Sequence, residues 1–175
     1  MITRILPACV LLFLAGCASF GDTQDGPFEC GMPHCSLTRV EGVGVVQEGG
    51  ERFLVHDASA MRVAVSTIAG TPETATADVD ALLDEWRARL SPVATWSQAP
   101  QAAPGFVVRG VSGDLRPPPG VFFDPDPDKV WLGTYLNPNT GSVLVLRAEA
   151  PASEWGTGWA VFEPLVTRVA LGAEF

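Results

Sequence analysis

The chain has 175 residues, 47% of them hydrophobic and 18% charged, which is enough apolar matter for one core and excludes a disordered chain. A formal net charge of -9 argues against a basic nucleic-acid-binding face and a surface drawn to anionic lipid.

Residues 1–16 carry one charge, Arg4, followed by an apolar run from Ile5 to Leu14 and a small-residue end. That order is a secretory signal peptide, and the run is too short for a permanent membrane span. Leu14-Ala15-Gly16-Cys17 resembles the lipobox of bacterial lipoproteins. The resemblance implies that Cys17 is lipidated, becomes the mature N-terminus and tethers the protein to a membrane. Each buried methylene of an acyl chain contributes about 0.8 kcal/mol, so several chains anchor stably. In that family an Asp after the cysteine retains the protein in the inner membrane. Ala18 stands there in this chain, which implies the outer membrane, facing the periplasm. The alternative is an ordinary signal peptide cut near Ala18 or Ser19. Residues 17–29 are polar and acidic and read as a flexible tether; residues 30–175 suit a single domain.

Cys9 leaves with the signal and Cys17 carries lipid, which leaves Cys30 and Cys35 in Cys30-Gly31-Met32-Pro33-His34-Cys35. An even pair in an oxidising compartment reads as a disulfide. The loop is small, so the bridge contributes roughly 2 kcal/mol on the chain-entropy model. Beside the tether, its loss is expected to cost little. The competing reading is a zinc site from Cys30, His34, Cys35 and His56, though the spacing is not that of a zinc finger.

Strands are predicted over 38–47, 52–56 and 61–68, with Glu48-Gly49-Gly50-Glu51 and Asp57-Ala58-Ser59 as turns. Residues 71–77 read as a linker and Asp78 as a helix N-cap. Val79, Leu82, Leu83, Trp86 and Leu90 then recur at helical spacing before Pro92. Leu83 and Trp86 should face the sheet, with Leu144 and Leu146 as partners. Residues 91–105 read as loop, 106–111 and 129–136 as strands, and 113–128 as a segment without regular pattern. A five-residue turn, Asn137-Pro138-Asn139-Thr140-Gly141, joins the second of these to a strand over 142–149. Its unbroken run Val143-Leu144-Val145-Leu146 predicts burial on both faces, hence a central position. Residues 153–171 read as helical, capped by Ser153 and breaking before Pro164. The order of elements makes an α+β domain: a mostly antiparallel sheet covered by two helices.

The buried strand, the stretch Ala148-Glu149-Ala150-Pro151-Ala152-Ser153-Glu154-Trp155 and a closing helix resemble the end of a PsbP-type domain. That family is the extrinsic photosystem II protein and its bacterial relatives. The resemblance implies an α-β-α sandwich and a non-enzymatic binding or assembly role, and it carries over no functional residue.

Two motifs invite chemistry. His56-Asp57-Ala58-Ser59 holds the residue types of a hydrolase, but a triad converges in space rather than along the chain. It reads first as a polar turn. Asp124-Pro125-Asp126-Pro127-Asp128-Lys129 has the alternating acids of a calcium loop, yet Lys129 and Tyr135 stand where the pattern needs Gly and Glu. It reads as a solvated acidic loop. Just before it, Phe122 and Phe123 follow the stiff Pro117-Pro118-Pro119. They tuck under a sheet edge or, exposed beside the acids, form a partner-binding site. No phosphate-cradling or dinucleotide motif is present and no cofactor is implied. The leading expectation is a non-enzymatic binding or envelope-assembly role with an envelope protein partner. A small envelope hydrolase and a small-ligand-binding module are the alternatives.

Overall fold

The computed structural model describes residues 27–30, 34–91, 105–117, 119–120, 124–167 and 169–171. In chain order the elements are β1 (Phe28–Glu29), β2 (Cys35–Leu37), β3 (Val43–Glu48), β4 (Glu51–His56), β5 (Ser59–Ala69), α1 (Ala75–Arg89), β6 (Val107–Asp114), β7 (Asp128–Leu136), β8 (Ser142–Pro151), α2 (Ala152–Thr167) and β9 (Val169–Leu171). They form an α+β fold with a six-stranded sheet ordered β3-β4-β5-β8-β7-β6 and a three-stranded sheet ordered β1-β2-β9. Every pairing is antiparallel. Phe28 and Glu29, placed in the tether by sequence, are therefore paired strand residues.

β8 lies inside the large sheet, as its apolar run requires, and Val143 to Leu146 are all buried. Successive strand residues point to opposite faces, so the run feeds two cores. On one face Val143 and Val145 join Val130, Leu132 and Leu136 with Val79, Leu83 and Trp86 of α1 and Leu90 just after it. On the other, Leu144 and Leu146 join Met61, Val63, Trp131 and Tyr135 with Trp159, Phe162, Leu165 and Val166 of α2. The expected partnership of Leu83 and Trp86 with Leu144 and Leu146 is thus corrected by one residue. A one-residue offset on a strand exchanges faces.

Helix α1 begins at Ala75, with Thr74 at the N-cap, and not after Asp78. Burial of Ala75 (1% exposed) extends the helix by a turn, and Asp78 falls in the first turn, where a carboxylate suits the helix dipole. Residues 71–77 are therefore only partly linker. At the other end Leu90 leaves the helix to bridge Leu115. The segment 113–128 is also more regular than its composition implies: β6 runs to Asp114, and the Leu115 N–H donates to the Asp128 carbonyl at 2.7 Å.

Helix α2 runs through Pro164 without the expected break. Proline removes one backbone donor, but Phe162, Leu165 and Val166 on either side are fully buried, and that packing holds the helix. Gly158, which weakens a helix by propensity, has a tertiary reason. A Cβ there would lie 2.5 Å from the Met61 Cβ and 2.7 Å from the Ser59 Oγ, so its absence lets α2 lie close on β5. Two further stackings hold the helix: Trp155 on Trp159 with centroids 5.4 Å apart, and Trp131 tilted against Trp159 at 5.5 Å. The helix ends at Thr167, and Val169–Leu171, expected to be helical, pairs with β2 as β9.

Tyr135 closes the C-terminal turn of α2. Its hydroxyl donates to the Val166 carbonyl at 2.8 Å, satisfying one of the helix's orphan acceptors. Burial pushes its phenol well above the usual tyrosine range. Tyr135→Phe should therefore lower stability by about 1–3 kcal/mol, because it leaves a buried carbonyl unpaired. Urea midpoints of the two proteins measure this; unchanged midpoints would show that the bond contributes nothing.

Candidate functional site

The three-stranded sheet sits over the β3–β4–β5 end of the large sheet, and a groove of about 430 Å³ opens between them. Register builds its floor. Val45 pairs with Leu54 and Leu54 with Val63; Gln47 pairs with Arg52 and Arg52 with Val65. Residues paired directly across strands share a face, so Val45, Leu54, Gln47, Arg52 and Val65 all look into the groove. Leu54 and Val65 are buried there, and Leu37 and Phe28 of the small sheet form the apolar wall.

The mouth is polar. Arg39, Gln47 and Glu29 are exposed and Arg52 is half-buried. The Arg52 guanidinium donates to the Glu29 carbonyl, joining the large sheet to β1, and the Arg39 guanidinium lies 5.3 Å from the centre of the Phe28 ring. Val45, 39% exposed at the rim, marks where the apolar floor reaches solvent.

Cys30 and Cys35 lie behind this wall, bonded to each other with an S–S distance of 2.09 Å and Cα atoms 5.4 Å apart. Both are buried, at 4% and 1% exposure, in the same core as Leu54 and Val65. A sulfur bonded to sulfur is not a thiolate ligand, which removes the zinc reading. Among the described residues no group of three or more His, Cys, Asp or Glu is placed to hold a metal.

The chemical motifs resolve into structural bonds. The His56 Nδ1 accepts the Ala58 N–H at 3.2 Å, and the Ser59 Oγ accepts the Met61 N–H at 3.0 Å. Both side chains serve the β4–β5 turn. Asp126, from the acidic loop, caps α2: it accepts the Ser153 N–H at 2.7 Å and the Ser153 hydroxyl at 2.6 Å. Ser153, expected to be the cap, is one of the capped residues. The bond from the Ser153 hydroxyl, then that from its N–H, hold the Asp126 carboxyl below the ordinary aspartate range. A lowered folded pKa contributes stability above the unfolded pKa that is lost as pH falls through the folded value. The stability gap between the wild type and Asp126→Ala should accordingly narrow from about pH 7 to about pH 2. Melting temperatures across that range test it; a constant gap would mean that the carboxylate charge is not what caps the helix.

Cys17, Phe122 and Phe123 lie outside the described residues. Arg39 and Arg52 escaped sequence reasoning. The available signal was Arg52 two residues before Leu54 on one strand, a cation on the apolar face.

No protein-family model matches the chain, and no curated protein matches it in sequence. Among solved structures it is similar to LpqN of Mycobacterium tuberculosis, described as involved in cell envelope biogenesis. The identity is 17%, the match covers 85% of this chain and 90% of that one, and the TM-score is 0.55. This likeness is one of fold. Among the described residues no helix is long and apolar enough to cross a membrane.

Proposed function

We propose that this chain is a lipoprotein of the bacterial outer membrane, anchored through lipidated Cys17, whose periplasmic domain acts in the envelope by binding rather than by catalysis. The observation that carries the binding role is the groove between the two sheets. A buried apolar floor under a polar mouth is how ligand sites are built, and 430 Å³ falls within the roughly 300–1,000 Å³ of small-molecule pockets. Its size favours a small-ligand-binding module as the form the binding takes. The envelope-biogenesis role described for LpqN, which shares the fold, supports the envelope setting. Position supports it as well. Pro27 lines the groove, and the chain from Cys17 to Pro27 spans at most about 35 Å, so the lipid would hold the groove close to the bilayer.

The test has two parts. Intact mass of the processed protein should show Cys17 as an acylated N-terminus, and Cys17→Ala should abolish lipid labelling and leave the precursor uncut. An unmodified N-terminus at Ala18 or Ser19 would overturn the anchor. Crosslinking in the envelope should capture a partner or ligand that is lost when Val45→Trp fills the groove. Capture that survives this change and disappears with Phe122→Ser and Phe123→Ser together would move the binding surface to that segment.

A further inference from the structure

The chemistry of the groove selects its occupant, an inference that rests on the binding role proposed above. Leu54 and Val65 of the floor and Leu37 of the wall are apolar, whereas Arg39 and Arg52 both line the mouth. The chain holds only 11 basic residues against 20 acidic ones, so two cations beside one apolar cleft depart from its overall charge. Glu29 shares the rim. Arg52 is engaged through the carbonyl of Glu29, which uses one of the five N–H donors a guanidinium carries. The planar fork of arginine matches carboxylate and phosphate oxygens, and such charge-assisted bonds are the strong ones. We propose that the groove binds an anionic amphiphile, with an apolar chain along Leu54 and Val65 and a carboxylate or phosphate head at Arg39 and Arg52. Val45, 39% exposed at the rim, carries the apolar surface out to the arginines.

Calorimetric titration of the intact chain tests this with hexyl phosphate and hexanoate as charged amphiphiles, hexyl glucoside as a neutral one, and inorganic phosphate as a head without a chain. At least one charged amphiphile should bind about tenfold or more tightly than either control. Arg39→Gln, at an exposed position, should lower that affinity about tenfold and leave hexyl glucoside unaffected. Val45→Trp should abolish binding of every chain-bearing probe. Arg52→Gln should act like Arg39→Gln, with Arg39→Gln deciding if the loss of the Glu29 bond disturbs β1. Equal binding of hexyl glucoside would overturn the anionic head, and equal binding of inorganic phosphate would overturn the amphiphile. No probe binding, with crosslinked capture still blocked by Val45→Trp, would overturn the ligand class and leave the binding role standing.

Discussion

Truncating Trp86 to alanine should lower the unfolding free energy by about 3–5 kcal/mol, the usual cost of removing a buried aromatic. The ring is 4% exposed and shares the α1-side core with Val143 and Val145. Two arginines flank it: the guanidinium of Arg89 lies 4.0 Å from the ring centre and that of Arg147 5.3 Å. Such contacts add stability beyond area burial. Double-mutant cycles make the prediction specific. Trp86→Ala and Val145→Ala should couple by about 0.5 kcal/mol or more, whereas Trp86→Ala and Leu144→Ala should be nearly additive. Coupling to Leu144 in place of Val145 would put α1 on the opposite face. An unchanged midpoint for Trp86→Ala would put the ring on the surface.

Replacing Cys30 and Cys35 together by serine should cost about 2–4 kcal/mol. The lower part of that range is the entropy regained by an uncrosslinked chain. The upper part reflects burial: both positions lie in the α2-side core, where a serine hydroxyl without a partner is penalised. This exceeds what a bridge beside a tether would contribute. β1 is two residues long and pairs with β2 alone in its sheet, so the bridge from Cys30 to Cys35 is a principal restraint on the groove wall. Affinity for the amphiphile probes should fall along with stability. Denaturant titration with and without reductant measures the first effect and calorimetry the second. A double variant as stable as the wild type would show that the wall is held by packing alone.

Periodicity carried much of the architecture because burial acts residue by residue. The stripe from Val79 to Leu90 could be stable only as a helix lying on something apolar. The run from Val143 to Leu146 could be stable only between two covered faces. The Cys30–Cys35 bridge was legible for a different reason, since an even cysteine pair in an oxidising compartment pairs with itself. Face assignment was not legible. Whether Val145 or Leu144 meets α1 depends on which side the helix crosses, and both residues are equally apolar.

The continuity of α2 through Pro164 and the strand after it were likewise decided in three dimensions. Local propensity disfavours proline and glycine in a helix, but tight packing of Phe162 and Leu165, and the close approach at Gly158, outweigh it. Val169–Leu171 becomes a strand only because β2 offers it an edge. The groove belongs to the same class of fact. Arg39, Arg52, Leu37 and Leu54 come from separate segments, and their convergence follows from the docking of a small sheet on the end of a large one. By itself, then, the sequence determined the fold class, the central strand, the helix on α1 and the close cysteine pair, because each follows from local spacing and burial. Tertiary structure alone decided which faces meet, where α2 ends and that two arginines share the mouth of one cleft, because those depend on contacts between residues far apart in the chain.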